Sequence, residues 1–144
     1  MHGIDYYDTW APVAKLTSIH LLLAIATQNK WPIDMFDFHS AFLNGQLDSD
    51  EEVFMEQPQG YKESDRKWYV CKLFKSLYRL KQAGRKWYDT LFKVLADIGL
   101  KRSEADPAVF YTHQNGNITI LACHVNNCMI TRNSQDLIQS TKMS

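Results

Sequence analysis

The chain has 144 residues, 45% of them hydrophobic, with seven Phe, seven Tyr and four Trp, about the length of one domain and apolar enough to bury a core. Sixteen basic and sixteen acidic residues cancel, which excludes a whole-chain electrostatic binder of nucleic acid and leaves such a role to local clusters. Cys71, Cys123 and Cys128 have neither zinc-ligand spacing nor an even count; with no signal-peptide pattern and no apolar run long enough to span a bilayer, the chain reads as soluble and intracellular, in cytoplasm or nucleus.

Thr17-Ser18 is expected to cap a helix whose apolar face is Ile19, Leu22, Leu23 and Ala26, with Asn29 as its stop. Trp31 to Phe38 alternates as a strand, with Ile33, Met35 and Asp37 on one face, so Asp37 is expected in line with core residues. Asn44-Gly45 and Pro58-Gln59-Gly60 are turn signals around a short strand at Val53-Phe54-Met55. Trp68 to Leu73 is a further strand, and Asp48 to Glu52 reads as a solvated acidic loop. From Ala83 to Ile98 the spacing of Trp87, Leu91, Val94, Leu95 and Ile98 predicts a helix that Gly99 ends. Pro107 to Tyr111 and Ile118 to Val125 read as strands joined across Asn115-Gly116. Cys128 to Thr131 returns after the Asn pair, and Asn133-Ser134 caps the start of a last helix. No linker or repeat marks a domain boundary. The mixed order of elements predicts an α+β fold, an antiparallel sheet backed by helices.

Several residues invite a chemical reading. The tetrad His124-Val125-Asn126-Asn127 lies inside the apolar run from Ile118 to Ile130. Taken alone, its Asn pair is an ordinary turn, because Asn tolerates positive φ. By the same standard Asp37 is a paired strand-edge carboxylate, Phe42 a core ring, and Gln82 a surface glutamine. From Lys72 through Lys86 there are six bases, Lys72, Lys75, Arg79, Lys81, Arg85 and Lys86, and no acid. Interleaved with Tyr78, Trp87 and Tyr88, they form either a solvated face or a strip that follows a nucleic-acid backbone or a triphosphate.

Taken in order, three groups of segments narrow these alternatives. The first is Asp5 to Lys15, which includes Trp10-Ala11-Pro12-Val13, followed by Met35-Phe36-Asp37-Phe38-His39-Ser40-Ala41-Phe42-Leu43-Asn44-Gly45. The second is Met55-Glu56-Gln57-Pro58-Gln59-Gly60-Tyr61 with Ser76-Leu77-Tyr78-Arg79-Leu80-Lys81-Gln82-Ala83. The third is Ser103-Glu104-Ala105-Asp106, ending at the tetrad. Their order and spacing over nearly the whole chain resemble the polymerase module of copia-type retrotransposons, the reverse transcriptase within their polyprotein.

The resemblance implies a partial right-hand polymerase, with a fingers remnant over about residues 1–30 and palm over about 31–144. Opening at the Gly-x-Asp-Tyr block and stopping after the hairpin, the chain is expected to lack thumb and ribonuclease H segments. The implied activity is RNA-directed DNA synthesis, the transfer of nucleotides from dNTPs onto a DNA primer along an RNA template. In the family three carboxylates hold two Mg²⁺ ions for this step. Asp37 matches the first carboxylate. The other two belong to a Tyr-Val-Asp-Asp hairpin, whose positions here read His124-Val125-Asn126-Asn127. Phe42 matches the aromatic that lies under the incoming sugar and excludes a 2′-hydroxyl. Gln82 matches a glutamine that contacts the incoming nucleotide, and the six bases would follow template and primer.

Mg²⁺ keeps its waters unless anionic oxygens replace them, and an Asn amide offers only a neutral oxygen. Two Asp→Asn differences remove two of three charges while hardly altering volume, so folding is expected to survive and metal binding to be lost. Asp37 would remain as the sole charged ligand of an inactive polymerase. The alternative is a domesticated RNA- or protein-binding module without catalysis, binding weakly and with steep salt dependence. Arg79 stands where the family has Gly, at a turn that wants freedom in φ, and His20 stands where Arg is usual.

Overall fold

The computed structural model describes residues 9–62, 65 and 68–134. Within them the chain runs α1 (Leu16–Asn29), β1 (Ile33–Asp37), a 3₁₀ turn (Ala41–Asn44), β2 (Val53–Glu56), β3 (Val70–Leu73), α2 (Ala83–Asp97), β4 (Lys101–Arg102), β5 (Val109–Gln114), β6 (Asn117–His124) and β7 (Asn127–Arg132). This is the mixed, antiparallel architecture expected, with the two-residue β4 as an addition. The predicted helix after Asn133-Ser134 and the Asp5 to Asp8 part of the first motif lie outside the described residues. Two compact units emerge, one gathering Ser40–Thr90 and the other combining Ala11–His39 with Leu91 onward. Because both units are discontinuous in sequence, no linker announces them.

The unit that combines Ala11–His39 with Leu91 onward is built on a five-stranded antiparallel sheet of order β1-β7-β6-β5-β4. β5 and β6 join through Asn115 and Gly116, whose φ of 53° and 80° give the left-handed pair of a type I′ turn matched to strand twist. One face of the sheet packs on α1 through Ala14, Leu22, Ala108, Ala122 and Met129. On the other, buried Phe110 meets Phe92 of α2 with ring centroids 6.4 Å apart. α2 ends as its sequence requires: Gly99 has φ +89°, Leu100 N–H donates to Leu95 O and Gly99 N–H to Ala96 O, both at 2.9 Å, the paired bonds of a Schellman stop. Its buried stripe is Trp87, Tyr88, Leu91 and Leu95, whereas Val94 and Ile98, predicted to belong to it, are exposed.

Two expectations about this unit are corrected. β1 forms as predicted, yet all five of its residues are exposed, Met35 by 76%. Alternation fixes which residues share a face, not whether that face is covered. β1 is the end strand of its sheet, and α1 draws its cluster from Ala122 and Met129 instead, so Asp37 is not in line with buried residues. The start of α1 also differs. Its N-cap is Lys15, with no side-chain cap of its own, and Ser18 donates its hydroxyl to Asp106 Oδ2 at 2.6 Å.

Asp106 is therefore a cap supplied from elsewhere in the chain. Although burial pushes its carboxyl upward, the Ser18 hydroxyl, the Lys15 and Ala108 amides and the Lys15 charge together hold it below the usual carboxylate range. The same Oδ2 accepts Lys15 N–H at 2.9 Å, and Oδ1 accepts Ala108 N–H at 3.1 Å. One buried carboxylate thus satisfies donors at the start of α1, where the helix dipole favours negative charge, and fixes the turn into β5.

The Ser40–Thr90 unit centres on the two-stranded β2–β3 ribbon. Gly60, at φ +90°, follows Pro58-Gln59 in a turn closed by Tyr61 N–H to Pro58 O at 3.0 Å, the geometry that asks for glycine in a type II turn. Asn44-Gly45 is not the simple turn predicted: Asn44 ends the 3₁₀ turn and Gly45 follows in extended conformation. Glycine is needed there for closeness. A Cβ at Gly45 would lie 2.8 Å from Ser76 Oγ, 2.9 Å from the Trp87 amide nitrogen and 3.0 Å from the Lys86 carbonyl carbon. Two of these are backbone atoms, so Gly45→Ala is expected to cost about 2 kcal/mol through overpacking, read as a lower urea midpoint at unchanged slope.

Candidate functional site

The register β1–β7 pairs Asp37 with Asn127, and β6–β7 pairs His124 with Asn127. Three residues that the sequence singled out, Asp37, Asn126 and Asn127, are thereby brought together at one end of the sheet. Asn126 Nδ2 donates to Asp37 Oδ1, and Asn127 Nδ2 donates to Asn126 Oδ1 at 3.3 Å. The backbone joins in, with Phe38 N–H donating to Asn126 O at 2.9 Å. The result is a directional chain, amide to amide to carboxylate.

The turn itself is not the one expected. Its two loop residues are Val125 and Asn126, while Asn127 already begins β7. The positive φ belongs to Val125, at +61°, and not to either asparagine. A left-handed first loop residue followed by an ordinary second is the pattern of a type II′ turn, which normally takes Gly first. A β-branched residue in that region is a genuine outlier, costing about 1–2 kcal/mol. Asparagine's tolerance of positive φ therefore does not account for the Asn pair.

The chemistry of this donor set can be stated directly. Mg²⁺ is held by oxygen ligands among which carboxylates supply the neutralising charge. Here one carboxylate is present, one of its oxygens already accepts an amide hydrogen, and the neighbouring oxygens are neutral. These residues do not fit a pair of Mg²⁺ ions. Among the described residues, no group of three or more His, Cys, Asp or Glu is placed to hold a metal ion.

Behind the turn, Cys123 and Cys128 are register partners and both buried. The neighbouring Cys128 thiol, burial and Cys128's charge together push Cys123 far up from the usual thiol range. An apolar groove of about 420 Å³ lies between α1 and the sheet, lined by Leu21, Ile25, Tyr111 and His113 among others. It includes none of the predicted site residues.

The remaining predicted residues belong to the Ser40–Thr90 unit. Phe42 packs edge-on against Tyr78, with centroids 5.0 Å apart, and its carbonyl accepts the Ser76 hydroxyl. Gln82 is not a surface residue: it is 5% exposed, and its Nε2 donates to Glu51 Oε1 at 3.3 Å. The Asp48 to Glu52 loop is not merely solvated either. Lys86 Nζ sits 2.6 Å from Asp48 and 2.8 Å from Glu51. Burial pulls its ammonium downward, but the hydrogen bonds and charges of Asp48 and Glu51 outweigh that and hold it above its ordinary range. Lys72 pairs with Glu52 at 2.7 Å, which lowers the Glu52 carboxyl through the Lys72 hydrogen bond and charge. Arg85 pairs with Asp89 at 2.9 Å.

Lys72, Arg85 and Lys86 are thus engaged by acids that lie outside the basic run. Lys75 and Arg79 remain exposed beside the exposed rings of Phe74 and Tyr78. Arg79 occupies the third position of a turn closed by Leu80 N–H to Leu77 O at 3.2 Å, with φ +75°, a conformation that suits glycine. Arg79→Gly is expected to stabilise the chain by about 1 kcal/mol, measurable as a raised melting temperature.

Over residues 1–144 the chain matches the family described as reverse transcriptase (RNA-dependent DNA polymerase). It is 42% identical over 139 residues to the Retrovirus-related Pol polyprotein from transposon RE1 of Arabidopsis thaliana, covering 96% of this chain and 9% of that protein. To the Retrovirus-related Pol polyprotein from transposon TNT 1-94 of Nicotiana tabacum it is 36% identical over 141 residues, 97% of this chain and 10% of that one. To the Transposon Ty1-H Gag-Pol polyprotein of Saccharomyces cerevisiae it is 30% identical over 123 residues, 81% of this chain and 6% of that protein. The chain therefore spans about a tenth or less of the length of these relatives. No solved structure matches it.

Proposed function

This chain belongs to the reverse transcriptase (RNA-dependent DNA polymerase) family, and from that membership we propose that it is a copia-type polymerase module that no longer transfers nucleotides. The observation that carries the reading is the closed chain Asn127 to Asn126 to Asp37. Where three carboxylates would repel one another until cations joined them, two amides and one carboxylate satisfy each other without any ion. The left-handed Val125 supports the same reading, because backbone strain of this kind concentrates at functional sites. On this view the hairpin keeps the shape of a working site and has lost its charge.

Asp37 and the positions of Asn126 and Asn127 are assigned to the former metal site, Phe42 to the sugar gate and Gln82 to the nucleotide-contacting position. Burial of Gln82 against Glu51 means that it would need to be released before it could touch a nucleotide. Template RNA and DNA primer are the assigned partners, with Lys75 and Arg79 among the exposed bases of the strip.

The test grafts His-Val-Asn-Asn into the hairpin of an active relative and follows primer extension on a poly-rA template with Mg²⁺ or Mn²⁺. Each tenfold in rate is about 1.4 kcal/mol, and losing two anionic ligands is expected to remove at least about three such factors. Binding of the primer–template is measured alongside, so that lost chemistry is distinguished from lost binding. Incorporation at the relative's own rate, by the graft or by the present chain, overturns the proposal.

A further inference from the structure

The geometry points to Cys123 and Cys128 as a modification site, a reversible cross-strand disulfide that forms by exchange with a low-molecular-weight disulfide and clamps the base of the Val125-Asn126 turn. The two residues stand directly opposite in the β6–β7 register. Cys123 turns both backbone groups away from β7: its N–H donates to Ala108 O, and its carbonyl accepts Ala14 N–H, each at 2.9 Å. The position is therefore a non-hydrogen-bonded pair, the closer of the two kinds in an antiparallel ladder, with Cα atoms about 4.5 Å apart. That spacing falls within the range of about 4.4–6.8 Å across which disulfides form. The two sulfurs already lie 2.6 Å apart. Cys71, the third thiol, sits in the other unit and is half-buried.

The exchange balances without a further reagent. One cysteine, as thiolate, attacks a sulfur of the small disulfide; that S–S bond breaks, a mixed disulfide forms, and one small thiol departs with a proton. The other cysteine then attacks the protein sulfur of the mixed disulfide and expels the second small thiol. The cysteines together lose two electrons and two protons, and the small disulfide gains both. Since both thiols are buried, the hairpin has to open for the first attack, which makes the reaction slow. The inference rests on strand register and is independent of the polymerase reading.

Oxidised glutathione is the probe. The whole chain and its Cys71→Ser variant are incubated with it, free thiols are counted under denaturing conditions, and linked peptides are mapped by mass spectrometry. In the variant both remaining thiols are expected to disappear, with no link between chains, each chain two hydrogens lighter, and melting about 5 °C higher; dithiothreitol reverses the change. In the parent chain the mapped link is expected to be Cys123 to Cys128. Persistence of both thiols after incubation in mild denaturant that opens the hairpin, glutathione retained on either cysteine, or a link through Cys71 or between chains overturns the inference.

Discussion

Asp106→Ala is expected to destabilise the chain by about 4 kcal/mol, since three donors lose a charged acceptor at once and buried unpaired donors cost about 1–3 kcal/mol each. The donors are Lys15 N–H, Ser18 hydroxyl and Ala108 N–H, and Asp106 itself is only 3% exposed. Against a total stability of about 5–15 kcal/mol for a domain, such a loss populates the unfolded state. The sign with pH follows from the lowered native pKa. Its contribution is complete above the ordinary carboxylate range of the unfolded chain and is lost as pH falls through the lower native value. Urea titrations at neutral and acidic pH check this: the two curves should differ for the parent chain by more than for Asp106→Ala. Equal pH dependence in both would assign the acid sensitivity elsewhere.

Asn126→Asp combined with Asn127→Asp is expected to make stability depend on divalent metal. Three carboxylates then converge where a hydrogen-bonded chain now runs, so the variant without metal should melt below the parent. Mn²⁺ or Mg²⁺ at a hundred times its dissociation constant returns about 2.7 kcal/mol, a rise in melting temperature of roughly 5–10 °C. The parent chain should show no such rise, because one carboxylate and two amides give a divalent ion too little charge to displace its waters. An equal metal-induced shift in both proteins would show that the two asparagines are not what sets metal affinity.

The features legible in the sequence are those whose causes are local. Gly99 and Asn115-Gly116 announce their stop and turn because left-handed backbone is chosen residue by residue, and both have it. The apolar spacing of α2 located its helix, although two of its predicted core residues face outward. Features set by distant partners were hidden. The acids that engage Lys86 lie 38 positions away at Asp48 and 35 away at Glu51, so a run without internal acids looks uncompensated. Asp106 appeared only as part of a motif, since its partners Lys15 and Ser18 are 91 and 88 positions distant. Val125 goes against its own preference, and the strand pairing on both sides of it sets the turn that puts it at positive φ. The convergence of Asp37 with the asparagines was inferred from motif order alone; periodicity placed Asp37 on a strand without revealing that the strand is an uncovered edge.

The pairing of β1 with β7 also sets the order in which the molecule can be assembled. Ile33 meets Thr131 and Asp37 meets Asn127, so the contact closes a loop spanning most of the chain, and long-range pairing of this kind slows folding. During synthesis at about 5–20 residues per second, Asp37 emerges several seconds before Asn126, which is 89 positions later. Ser40–Thr90, the unit between them, has that interval to organise through its own shorter-range contacts. The carboxylate and its amides are consequently among the last groups to meet, and a ribosome that stalls before β7 releases a chain in which β1 has no strand to join.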